Sequence, residues 1–88
     1  MLKTIFILIA AMTAGTAIAG ANCPKYERNQ WMSEAEARSK IEAQGYKIDK
    51  FKIDGNCYEI YGSNKDGKKV EIYFDTKTLE VVKAEVKG

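Results

Sequence analysis

Gly45 to Asp75 reads GYKIDKFKIDGNCYEIYGSNKDGKKVEIYFD, and the spacing of its apolar residues decides the fold. Its last segment is the clearest. Over Lys69–Asp75, Val70, Ile72 and Phe74 share one parity and Glu71 and Tyr73 the other, the period of two that marks a half-buried strand. Before it, Cys57 to Gly62 places Tyr58 and Ile60 on one face and Cys57, Glu59 and Tyr61 on the other. Lys47 to Ile53 alternates with a fault: Phe51 and Ile53 agree, but Ile48 falls on the opposite parity. A bulge or strong twist near Asp49-Lys50 reconciles them. Asp54-Gly55-Asn56 and the run from Ser63 to Lys68, with Asn64 and Asp66-Gly67, are hairpin turns between these segments.

Downstream, Asp75-Thr76-Lys77-Thr78 turns the chain again. Leu79 to Lys87 then predicts a fourth strand, with a parity shift between Leu79/Val81 and Val82/Ala84/Val86. Upstream, Ser33 and Glu36 have the spacing of a capping box, in which the Ser33 hydroxyl accepts from the Glu36 N–H and the Glu36 carboxylate reaches back. Glu34 and Glu36 favour the positive end of a helix, Met32 is placed to pack on Ala37, and Gly45 closes the helix. Its apolar side is thin, chiefly Ala37 and Ile41 with Trp31 and Tyr46 at the ends. A helix this short does not hold alone in water and has to lie on the sheet. The expected fold is therefore α+β: one N-terminal helix packed on a four-stranded antiparallel meander sheet, in two layers. The other face of the sheet is open or partly crossed by the N-terminal segment.

Residues 1–19 carry one charge, Lys3, then the apolar run from Ile5 to Met12, then small residues ending in Ala17-Ile18-Ala19. This is the pattern of a secretory signal peptide, cleaved after residue 19 or, through Ala19-Gly20-Ala21, after residue 21. A membrane span needs about 20 apolar residues, and Thr13, Gly15 and Thr16 interrupt this run early. Lipid attachment at Cys23 fits poorly, because Asn22 precedes the cysteine and Gly20 stands where a branched apolar residue is usual. Residues 20–30 form an extended lead-in containing the chain's one proline, Pro24, and residues 31–88 form the domain.

Without Lys3, 13 basic residues face 12 acidic ones. So even a balance lacks the basic stripe of a nucleic-acid binder. A domain this small buries only about 60% of its unfolded surface and gains from a staple. Cys23 and Cys57, the two cysteines of a chain read as exported, are expected to form a disulfide. Closing a loop of about 35 residues contributes roughly 3.5 to 4 kcal/mol on the chain-entropy account.

Catalytic signals are sparse. With no histidine, the usual general base and every Ser-His-Asp arrangement are missing. Asp49, Asp54, Asp66 and Asp75 fall at strand ends and turns, where solvated turn carboxylates are expected. Asp54-Gly55-Asn56 lacks the ligand pattern of a calcium loop. The basic group Lys65-Asp66-Gly67-Lys68-Lys69 reads as a soluble hairpin tip. No catalytic residue, metal site or cofactor is expected. The candidate partner-binding residues are Glu59, Tyr61, Glu71 and Tyr73, one row on neighbouring strands, since tyrosine combines a rigid apolar body with a polar tip. The competing reading is a set of cross-strand pairs that only stabilises that face.

Trp31-x-Ser33-x-x-Glu36-Ala37, Gly45-Tyr46, Cys57-Tyr58-Glu59, Asp66-Gly67-Lys68-Lys69-Val70-Glu71 and Asp75-Thr76-Lys77-Thr78-Leu79-Glu80-Val81-Val82, in this order and spacing, resemble the small exported PepSY domains over Trp31 to Ala84. Many members carry Pro after that last aspartate and Gly after the threonine, where this chain has Thr76 and Leu79. The resemblance implies a helix-plus-sheet module outside the cytoplasm, periplasmic or secreted, of a kind found in metallopeptidase propeptides. It implies an unidentified protein partner, a peptidase or an envelope protein, and transfers no catalytic residue. A periplasmic carrier of a small molecule or metal, held between the sheet and the N-terminal segment, and a passive structural accessory are the alternatives. The domain is expected to be monomeric and, once the leader is removed, not inserted in a membrane.

Overall fold

The computed structural model describes residues 20–87; the predicted leader lies outside them. A helix, α1 (Glu34–Ala43), is followed by four strands, β1 (Lys47–Asp54), β2 (Cys57–Ser63), β3 (Lys69–Asp75) and β4 (Val81–Lys87). They form one antiparallel sheet in the order β1-β2-β3-β4. The α+β meander is as expected. The helix begins only at Glu34, behind a lead-in whose Arg28–Gln30 make a single 3-10 turn.

Both ends of α1 follow from their sequence. Ser33 is the N-cap, its hydroxyl accepting from the Glu36 N–H at 3.2 Å, and Gly45 leaves the helix at φ 104°, a conformation that glycine adopts without strain. The Glu36 carboxylate lies 4.0 Å from Lys40 Nζ, one turn on. Ala37 and Ile41 are the residues α1 buries, against Tyr58, Ile60, Val70, Ile72, Phe74 and Leu79. Trp31, Met32, Tyr46, Ile48 and Phe51 close the margin of this core.

The two parity faults become two irregularities. Between Ile48 and Lys50 the β1–β2 register shifts, so Ile48 pairs with Gly62 and Phe51 with Ile60. Gly62 is required there: a Cβ on it would stand 1.9 Å from the Lys47 carbonyl oxygen. The second shift lies where Tyr73 pairs with Lys83 and Phe74 with Val81. It brings β4 in at Val81 rather than at Leu79. Leu79 instead closes the β3–β4 turn at φ 64° while its side chain enters the core. Leucine thus holds a left-handed position that suits glycine, kept there by its burial.

Candidate functional site

The face of the sheet turned away from α1 carries the four residues singled out from the sequence, and the ladder fixes their arrangement. Glu59 pairs with Lys52 on β1 and with Tyr73 on β3, and Tyr73 with Lys83 on β4. One step along, Tyr61 pairs with Lys50 and with Glu71, and Glu71 with Glu85. Two tyrosines and two glutamates therefore alternate at the centre, flanked by Lys50, Lys52 and Lys83 and, beside Glu71, by Glu85. Lys50 and Lys52 stand 6.0 and 5.8 Å from the Tyr61 ring, and Lys83 stands 5.7 Å from that of Tyr73.

The row is less open than its parity suggests. Glu59 is 0% exposed and Tyr73 4%, while Tyr61 and Glu71 are half-buried. Neither Glu59 oxygen has a hydrogen-bond partner, and the nearest cation, Lys52 Nζ, is 3.9 Å away. Burial, then the adjacent Glu71 carboxylate, push the Glu59 carboxyl above the ordinary range. Glu71 moves the other way, to about 2, held there by Glu59, by the Tyr73 hydroxyl that donates to it at 2.9 Å and by Lys87 at 3.2 Å. A proton on Glu59 turns an acceptor-only group into a donor facing that carboxylate. Tyr61 rises to about 12, chiefly through the neighbouring Glu59, and Tyr73 rises too, mainly by burial. Glu59, closed off from solvent, therefore keeps its proton to a higher pH than a solvated carboxyl does.

The lead-in forms a strap around one end of the sheet. Cys23 joins Cys57 on this outer face in a disulfide, packed with Ala21 and Tyr73. The Tyr26 hydroxyl donates to Asp75 at 3.0 Å, and the Met32 N–H donates to the Thr76 carbonyl at 2.8 Å. Trp31 then reaches the helix side, edge-on to Tyr58 at 5.5 Å, while its indole N–H bonds back to the Tyr26 carbonyl. The place of Asp75 in a turn predicts a solvated carboxylate. It is buried instead, accepting from the Lys77 and Thr78 N–H groups as well as from Tyr26. Burial alone raises a carboxyl, but the backbone donors of Thr78 and Lys77 outweigh it and Asp75 titrates below its usual range. Pairing Tyr26 with Asp75 joins residues 49 apart, a contact no local pattern carries.

Asp49, Asp66 and the basic tip are exposed, Asn64 accepting from the Asp66 and Lys68 N–H groups in the β2–β3 turn. Among the described residues no group of three or more acidic, cysteine or histidine side chains is placed to hold a metal. Beside β4, Gly20, Ala21, Asn22, Val82 and Lys83 line a shallow groove of about 330 Å³.

A single helix on one side of a four-stranded meander, with a disulfide-tied strap on the other, defines a small two-layer α+β domain. The chain belongs to the PepSY family, described as the peptidase propeptide and YPEB domain, whose model matches residues 3–85. Members of this family are in general propeptide-like or inhibitor-like modules. No curated protein and no solved structure matches the chain.

Proposed function

We propose that this protein is an exported, non-catalytic binding module that docks on a peptidase or another envelope protein and restrains it. Membership in a peptidase-propeptide family is the observation that carries the reading. The disulfide supports an oxidising compartment, and no helix among the described residues is long and apolar enough to cross a membrane. The sealed Glu59 and buried Tyr73 give the outer face a rigid floor, on which half-exposed Tyr61, with Lys50 and Lys52, is the contact surface. Rigid aromatic side chains ringed by charge contribute contact area at small entropic cost.

The test is crosslinking capture from envelope extract with the disulfide-bonded protein and a Tyr61→Ala variant, followed by assay of captured peptidases. A peptidase held and slowed by the wild type, and released by the variant, supports the reading. Captured peptidases whose activity is unchanged sink it. A second reading, a small-ligand carrier, is favoured by the groove between Gly20–Asn22 and Val82–Lys83. A melting shift on adding metals or small apolar ligands, abolished by Val82→Asp, would select it.

A further inference from the structure

The two edges of the sheet are defended unequally. At β1 the edge is bulged between Ile48 and Lys50 and carries Lys47, Lys50 and Lys52. Face-preserving antiparallel pairing of this strand with a copy of itself about Phe51 sets Lys50 against Lys52 twice, and pairing about Lys52 sets that residue against itself. Like charges directly opposite are unfavourable, so self-pairing at the middle of β1 is disfavoured.

β4 is also bulged, at Val82 between Val81 and Lys83, but its charges alternate in sign and its apolar side chains are exposed. The large apolar side chains left exposed among the described residues are Ile53, Val81, Val82 and Val86, three of them on β4, with Val81 at 51% and Val86 at 60%. Helix α1 meets the sheet beside β1, leaving Ala84 and Val86 uncovered. An exposed edge strand of this composition is a template for another strand.

We propose that two copies of this chain pair antiparallel through β4, about a two-fold axis at Ala84, to make one continuous eight-stranded sheet. The strand is complementary to itself in that register. Ala84 meets its counterpart and Lys83 meets Glu85 of the second copy on both sides of the axis, with the exposed Val86 of each copy packing beyond them against the bulged end of the other strand. Because side chains alternate faces, only registers that differ by whole pleats keep each residue facing its own kind. The two neighbouring registers fail on charge. Centring on Lys83 sets lysine on lysine, and centring on Glu85 sets glutamate on glutamate and Lys83 on Lys87. Within one chain Lys83 and Glu85 already share a side, 3.8 Å apart, so the second copy completes a four-membered alternating cluster. This pairing replaces the monomer expected from the sequence and does not depend on peptidase binding.

Sedimentation equilibrium of the disulfide-bonded protein from micromolar to millimolar concentration, with charge-swap variants, decides the matter. The wild type dimerises reversibly. Lys83→Glu and Glu85→Lys, each alone, weaken the dimer by about tenfold or more, since like charges then oppose at both symmetric positions. An equimolar mixture of the two restores it, because each variant chain presents the charge the other needs. Lys83 also donates to the Gly20 carbonyl at 3.0 Å, so Val86→Lys, at a solvent-exposed position, is the second variant. It too should weaken dimerisation with an unchanged circular dichroism spectrum. A wild type that stays monomeric throughout overturns the proposal and leaves the β4 edge to a strand from another protein. A dimer indifferent to all three substitutions, or a mixture that stays monomeric, overturns it equally.

Discussion

The two faces of one sheet are held by different physics. Toward α1, Phe74, Ile60, Ile72 and Val70 bury apolar area against Ala37 and Ile41, and stability there scales with the surface withdrawn from water. On the other side, Tyr73 and Cys57 lie under the strap with Cys23, and Glu59 is buried without a partner for either oxygen. That face is closed by a covalent bond and by a carboxyl whose burial disfavours its charge. Adjacent residues show the contrast: Phe74 and Tyr73 are both buried, one in each cluster. In a domain this small the helix-side core alone gives a thin margin, so the strap supplies what an extra layer would supply in a larger protein.

If area governs the helix face, Phe74→Ala has the largest effect. It should cost about 3 to 5 kcal/mol, a large fraction of the stability of a small domain, and urea titration followed by circular dichroism would show a chain largely unfolded at low denaturant. A loss below about 1 kcal/mol would mean the core had collapsed around the gap, and the contrast between the faces would weaken.

On the strap side, Cys23→Ser is next. The loop it opens spans 34 residues, and the chain-entropy account gives about 3.5 to 4 kcal/mol as an upper figure. Helix and sheet should persist in the variant, with Trp31 still quenched against its neighbours. Equal melting temperatures for oxidised and reduced protein would remove the disulfide from the account altogether.

The turn joining β3 to β4 sharpens the comparison, because Leu79 serves both backbone and core. Leu79→Gly relieves the left-handed conformation, worth about 1 to 2 kcal/mol, but gives up the buried side chain, worth about 2 to 5 when cut to alanine. A net loss of about 1 to 3 kcal/mol is expected. Leu79→Ala keeps the strain and loses most of the packing, so it should be the worse of the two, the reverse of the usual order at buried sites. Glycine worse than alanine in urea titration would show that the positive φ carries no strain here.

What the sequence disclosed divides along the same line. The helix-side face was legible because it depends on local periodicity: Val70, Ile72 and Phe74 alternate, Ser33 and Gly45 bracket α1, and the parity faults at Ile48 and Val81/Val82 mark the two register shifts. The disulfide was legible from cysteine count and the leader-like start. For the outer face, the alternation of Glu59, Tyr61, Glu71 and Tyr73 with apolar residues leaves two readings, open or partly crossed by the N-terminal segment, and does not choose between them. Burial of Glu59 and Tyr73, and of Asp75 under Tyr26, arises from contacts between residues far apart in the chain. A pattern of period two cannot register them.

The carboxyl pair gives the smallest expected effect and the most specific test of that outer face. Glu59 titrates above its ordinary 4.5 in the folded chain. Its contribution is therefore fully present below 4.5 and is lost as pH rises through the folded value. Glu71, lowered to about 2, does the opposite: it stabilises above 4.5, and that part is lost as pH falls toward 2. Glu59→Gln replaces the first group with one that never ionises yet still presents a donor to Glu71. Near pH 4 the variant and the wild type should melt together. At pH 8 the variant should melt higher by roughly a few degrees, since in a domain of this length 1 kcal/mol moves the midpoint by about 4 to 8 °C. The difference should open above 4.5 and level off once pH has passed the folded value. A variant that melts lower at pH 8 would show that the ionised Glu59 is held by Lys52, 3.9 Å away, strongly enough to outweigh burial. The outer face would then be tied by an ion pair rather than weakened by a buried charge.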